Sequence, residues 1–245
     1  RRSFISEHEK VKFFAKVLPR QYISSVLTRF FIIKPYFSNV FREKDFTHSN
    51  GYLMDLHPDC FLCRYAVAAW QPAIEANALP MHFRRGEHLF REGEPVKGFY
   101  FMHSGKVKIH KRWGDYKELI IKFAGKMDIL GHRGMVGNQS YPISATAIED
   151  CDLCFITTEF FNTTLMVNHE LAYQMVLFYA DELQRAELGM RNMLHMDVKS
   201  RIADALLKLK DGFGSDSSGL INCNLTRQDV ASYAGTTYES LFKIM

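Results

Sequence analysis

Residues 225–245 read LTRQDVASYAGTTYESLFKIM, and these residue types in this order specify two short helices joined by a tight turn. Thr226 offers a side-chain oxygen to the free N–H groups of a helix start, and Asp229, three positions on, completes a capping box. Val230, Ala231 and Ala234 make a small apolar face, and Gly235 admits the left-handed backbone that reverses the chain. Thr236 or Thr237 then caps a second helix, in which Leu241 and Ile244 or Met245 point inward. Tyr238, Glu239, Phe242 and Lys243 are left outward. Two such helices across a glycine turn form a helix-turn-helix, whose second helix fits the major groove of DNA.

Working upstream, residues 220–225 predict a short strand with Ile221, Cys223 and Leu225 on one side, which makes Cys223 a small core residue. Residues 210–219 are a turn-rich loop, and 198–209 a helix presenting Ile202, Ala205, Leu206 and Leu209 on one face. Between 169 and 196 the only helix breaker is Gly189. There Val176, Tyr179, Leu183, Ala186, Met190 and Met193 recur alternately three and four residues apart. A heptad stripe in one long helix asks for a partner helix, and the partner expected is a second copy of this chain.

Residues 81–156 have a different texture, short β-type runs cut by Gly86, Gly93, Gly98, Gly105, Gly114, Gly125 and Gly131. In Ser104-Gly105-Lys106-Val107-Lys108-Ile109-His110 the apolar residues alternate with charged ones, as in a half-buried hairpin arm. Residues 100–102 and 119–123 supply further strands, and the set predicts a compact barrel or roll.

The balance of 47% hydrophobic and 24% charged residues over 245 excludes a disordered or fibrous chain. The net charge of +4 is unevenly placed: residues 1–53 hold ten Lys/Arg against four Asp/Glu, while 54–245 hold 21 against 23. Overall basicity therefore says nothing about nucleic acid, and any such claim rests on a motif. The most apolar early run, residues 30–41, is broken by Lys34 and Pro35, so no membrane anchor is expected. Five cysteines, an odd number, predict a reducing, cytoplasmic setting. Residues 1–53 read unlike the rest, and Met54 is the expected natural start.

The tract at 225–245 closely resembles the DNA-reading motif of the Crp/Fnr family of bacterial transcription regulators. FRRGEHLFREGEPVKGFYFMHSGKVKIHKR (83–112), residues 125–131 and VKSRIADALL (198–207) resemble that family's β-roll, its roll-closing segment and its hinge-side helix. The resemblance spans about 54–245. It implies an α+β fold: an antiparallel β-roll (double-stranded β-helix) effector domain at 54–165, a dimerisation helix at 166–196, and a winged helix-turn-helix at 197–245 that stops inside its recognition helix. Residues 1–53 are an extension outside it. Glu239 and Lys243 fall where the family places its base-reading acid and base; a carboxylate accepts from cytosine N4 and a cation reaches guanine O6/N7. The family usually has Arg where Lys243 stands, and Lys lacks the bidentate fork. Thr226, Arg227, Thr237, Tyr238 and Phe242 complete the expected DNA-contacting set, with Phe242 set to touch a thymine methyl or to pack on the wing.

Cyclic-nucleotide-binding members carry Gly-Glu for the ribose and Arg for the phosphate. Here Gly131 is followed by His132, and Ile143-Ser144 follows Tyr141-Pro142 where the Arg would stand, so cyclic AMP is disfavoured, with Arg133 as the substitute cation in the effector pocket. Oxygen-sensing members hold an iron–sulfur cluster on cysteines before and at the end of the roll. Cys60 and Cys63, with Cys151 and Cys154, offer four thiolates for such a cluster or for zinc, with His57 nearby in sequence. A thiol switch and inert buried cysteines are the other readings.

His82, His88, His103 and His110 form no metal-binding repeat. No phosphate loop, nucleophile elbow or acid–base pair argues for an enzyme. The function expected is a homodimeric regulator binding a pseudo-palindromic operator in double-stranded DNA and working with RNA polymerase. The alternative is a ligand-binding module that regulates a protein partner without touching DNA, which the helix-turn-helix disfavours.

Overall fold

The computed structural model describes residues 60–114, 117–137, 139–217 and 219–245, all within the unit Leu56–Met245. The 1–53 extension, Met54 as start and His57 lie outside the described residues. A short helix α1 (Phe61–Tyr65), a 3-10 turn and α2 (Gln71–Asn77) lead into eight strands. These are β1 (Leu79–Phe83), β2 (His88–Phe90), β3 (Gly98–Met102), β4 (Val107–Trp113), β5 (Lys117–Ala124), β6 (Ile129–Leu130), β7 (Ser144–Ala147) and β8 (Cys151–Thr157). They form two antiparallel four-stranded sheets, ordered β1-β8-β3-β6 and β2-β7-β4-β5.

The core is aromatic, with Phe99, Phe101, Phe155 and Phe161 buried and Phe99 on Phe161 at 4.7 Å between ring centroids. The predicted alternation in β4 holds for Val107 and Ile109, both buried. It breaks at the next residue: the register slips between Ile109 and His110, and His110 is also turned inside. A bulge shifts side-chain parity, and nothing local to β4 announces it.

Five helices complete the described part: α3 (Thr158–Val167), α4 (His169–His195), α5 (Val198–Phe213), α6 (Arg227–Tyr233) and α7 (Tyr238–Ile244). Helix α5 runs past the predicted end at 209 into the expected loop. The predicted strand at 220–225 is absent; only an isolated bridge joins Ser215 and Ile221. Without a neighbouring strand Cys223 is half-buried, not a core residue. No described helix is long and apolar enough to cross a membrane.

Candidate nucleic-acid interface and sensor site

Helices α5, α6 and α7 enclose a small core of Ile202, Ala205, Ala231, Ala234 and Leu241. The capping box is complete: Asp229 N donates to Thr226 Oγ1 at 3.1 Å and Thr226 N to Asp229 Oδ2 at 3.0 Å. Thr237, not Thr236, caps α7 by accepting from Ser240 N at 3.2 Å. Thr226 and Thr237 thus spend their side-chain oxygens on helix starts. Gly235 has φ +60°, and a Cβ there would lie 2.5 Å from Met193 Sδ, so glycine answers both the turn and the close approach.

Leu241 alone anchors α7; Ile244 and Met245, expected inward, are exposed, Met245 at 73%. The outward set is as expected. Tyr238, Glu239, Phe242 and Lys243 are all exposed, the Tyr238 and Phe242 rings stack at 6.3 Å, and the Arg227 guanidinium lies 5.9 Å from the Phe242 ring. Glu239 has its pKa lowered by its own backbone N–H, by the Thr237 side chain and by Lys243, so it faces outward ionised.

Two fastenings of this helix pair escaped the sequence. Arg201 donates to Ala234 O, Gly235 O and Met193 O, each at 3.2 Å, pinning the glycine turn to the end of α4. On the other side Lys108 Nζ donates to Asp229 Oδ1 at 3.0 Å and to Glu118 Oε1 at 2.7 Å. Ser232 Oγ receives Ile120 N at 2.9 Å and donates to Glu118 O. The cap aspartate of α6 is therefore also tied to the β4–β5 hairpin of the roll. No short-range signal marks the contacts of Arg201 with the glycine turn or of β4 and β5 with α6, which join residues 33 to 121 positions apart.

The long helix α4 carries an exposed apolar stripe, but not quite the predicted one. Val176, Leu183 and Met190 are exposed as expected. Tyr179 instead turns back to the roll and donates from its hydroxyl to His132 O at 2.8 Å, and Met193 lies against Gly235. Ala186 is exposed, on the side of Tyr179 and Met193. The residues alternating with Val176, Leu183 and Met190 on the outer face are Tyr173, Ala180, Glu187 and Leu194, which keep the three-and-four spacing. The missed signal is that α4 serves two faces, so two apolar stripes overlap in its sequence.

Where an effector pocket was expected, the described residues leave little space. A cavity of about 10 Å³ bordered by Gly131, His132, Arg133 and Ile143 has room for about one water. Phe90 and Tyr141 stack at 4.1 Å beside it, and the Tyr141 hydroxyl donates to Gly98 O at 2.8 Å. Ser144, expected in the pocket, accepts from Glu92 N at 2.9 Å. The Arg133 cation is engaged by Glu182 of α4 at 3.0 Å.

The cysteines gather only in part. Cys60 and Cys63 sulfurs lie 2.8 Å apart, and Cys60 caps α1 by accepting from Cys63 N at 3.2 Å. Hydrogen bonding with Cys154 and Cys63 lowers the Cys60 pKa to about 3, while the same contacts and burial push Cys63 and Cys154 up. Cys151 does not join them: three residues from Cys154 on a strand, it points to the opposite sheet face, toward Lys106 O and Glu149 O. Two thiolates on one zinc, each about 2.3 Å from it, stand well apart, not 2.8 Å. No described group of three or more ligands fits a metal ion. Cys60, Cys63 and Cys154 form a hydrogen-bonded thiol cluster that Cys151 does not join.

A cyclic nucleotide-binding domain model matches residues 80–168, and a Crp-like helix-turn-helix domain model matches residues 200–245. The chain is 27% identical over 175 residues to the CRP-like cAMP-activated global transcriptional regulator of Mycobacterium tuberculosis, covering 71% of this chain and 78% of that protein. It is 26% identical over 175 residues to the anaerobic regulatory protein of Bacillus subtilis, covering 70% and 74%. Among solved structures, FixK2 from Bradyrhizobium japonicum superposes with a TM-score of 0.60 at 23% identity, covering 68% of this chain and 82% of that one, and so shares the fold. With the two domains in this order and named regulators as its relatives, the chain belongs to the Crp/Fnr family and is a DNA-binding transcription regulator.

Proposed function

We propose that two copies of the chain pair along the outer stripe of α4 and set two α7 helices into successive major grooves of a pseudo-palindromic site, about 34 Å apart. The observation that carries this is the α7 face, where Glu239 and Lys243 stand free of intramolecular burial on a helix fixed by two caps. Glu239 accepts from cytosine N4 and Lys243 donates to guanine O6/N7, with Arg227 toward the backbone phosphates. RNA polymerase is the partner that such a bound dimer would recruit or block. The cytoplasm, where the chromosome lies, is the compartment this role requires.

The input enters through the roll. A cyclic nucleotide needs a pocket of several hundred Å³, and the cavity beside the stacked Phe90–Tyr141 pair is about 10 Å³, which favours another effector. The thiol cluster is the better-placed input, because Phe61 beside it packs edge-on against Phe178 of α4 at 5.8 Å, and Phe178 against His132 at 4.9 Å. A change in the cluster thus reaches the helix that carries Glu182 and, at its end, the Arg201 fastening. Footprinting of the full-length protein on a bound site tests the reading. Two protected patches one turn apart, lost in a Val176→Glu/Leu183→Glu variant that sediments as a monomer, are expected. A single patch unaffected by that variant would contradict it.

A further inference from the structure

Resting on the DNA-binding reading, we infer that the stacked Tyr238–Phe242 pair is a specificity element that reads thymine through its methyl group, beside the polar reading by Glu239 and Lys243. The two rings sit four residues apart on the outer face of α7, 44% and 61% exposed. Their 20° interplanar angle makes one continuous apolar wall. Leu241, not either ring, is the α7 residue that fills the domain core.

Two large aromatic side chains exposed beside charged ones call for an occupant of mixed chemistry. The occupant must share the groove with an ionised carboxylate and an ammonium on the same face. A protein surface covering the rings would also bury those charges without named partners. The DNA major groove supplies apolar and polar edges side by side, because thymine alone presents a C5 methyl next to an acceptor. Four residues of helix rise about 6 Å, close to two base steps of about 3.4 Å each, so the two rings can meet methyls two steps apart. The Arg227 guanidinium lies over the Phe242 ring, 5.9 Å from its centroid.

The test uses a half-site enriched from random DNA by the full-length protein, with each thymine replaced in turn by deoxyuridine, which removes only the methyl. Affinity is read by fluorescence anisotropy at fixed salt. One or two thymines per half-site should each lose about fourfold on replacement, the worth of one buried methyl-sized group. In Phe242→Ala that difference should vanish, in Phe242→Leu it should return in part, and in Glu239→Ala it should persist while selection of the C·G pair relaxes. Thermal unfolding of Phe242→Ala should match the parent. The inference is overturned if binding persists with no deoxyuridine penalty, or if Phe242→Ala and Tyr238→Ala keep the full penalty. A large loss of stability in Phe242→Ala also overturns it, since the ring would then be packing on protein. Absence of any enriched site would overturn both this inference and the reading beneath it.

Discussion

Glu182 of the long helix accepts from Arg133 of the roll at 3.0 Å through one oxygen and from Lys122 at 2.9 Å through the other. The roll and the helix are therefore joined by one carboxylate that answers two cations, with His132 Nε2 at 3.9 Å. Burial alone would raise the Glu182 pKa, but Lys122 and Arg133 override it and hold it at about 2, below an ordinary 4.5. A carboxylate depressed in the folded state contributes stability above its unfolded pKa and loses it as pH falls through the folded one. His132, pushed down to about 4 mainly by burial, resists protonation and costs stability between about 6.5 and 4. Chemical denaturation across pH should show acid destabilisation in two windows, 6.5 to 4 and 4.5 to 2. Glu182→Gln should flatten the lower window and cost about 2–3 kcal/mol at pH 7. An unchanged acid profile in Glu182→Gln would show that the carboxylate does not join these elements.

Gly235→Ala should destabilise the helix-turn-helix by about 2 kcal/mol or more, from the left-handed backbone and the contact with Met193 Sδ. Met193→Ala in the same chain should recover the steric part and leave the backbone cost of about 1 kcal/mol. Equal losses in the single and double variants, by urea unfolding, would mean that Met193 does not abut the turn.

Much of this region was legible because its signals are local. A cap, its partner three residues on, a glycine turn and an outward face all lie within 21 residues, and the alternation of Val107 and Ile109 is read from neighbours. The missing information is long-range. Nothing near Arg201 tells that it closes a turn 33 residues away, and nothing in α4 tells which of two overlapping stripes faces the roll, so Tyr179 was placed outward. The cysteines are the instructive case. Strand parity alone separates Cys151 from Cys154, whereas bringing Cys154 to Cys60 required the strand order.

The Lys108–Asp229 tie should be a restraint on the DNA-reading pair. The Lys108 pKa is raised because Glu118 and Asp229 outweigh its burial. A double-mutant cycle with Lys108→Met and Asp229→Asn should give a coupling of about 1 kcal/mol, and Lys108→Met should speed amide exchange in α6. No coupling, with exchange in α6 unaltered, would show that the roll leaves this helix pair free.

Cys60 should carry the thiolate of its cluster at neutral pH. Thiolate absorbance near 240 nm, followed against pH under anaerobic conditions, should show one sulfur already ionised in acid. That signal should vanish in Cys60→Ser and move to higher pH in Cys154→Ala, which removes the largest cause of the lowered pKa. Cys151→Ser should leave it unchanged, since burial pushes that thiol up to about 11 on the other sheet face. A signal altered equally by Cys151→Ser would contradict the separation of the two sulfur sites.

The central claim is that the outward face of α7 reads DNA sequence, and the most direct measurement is selection of genomic fragments by the full-length protein, compared with a Glu239→Ala/Lys243→Ala variant. The account predicts enrichment of an inverted repeat whose half-sites lie about one helical turn apart, with enrichment lost in the variant while its fold and oligomeric state are kept. Enrichment no better than for random DNA, or enrichment of the same repeat by the variant, would contradict it.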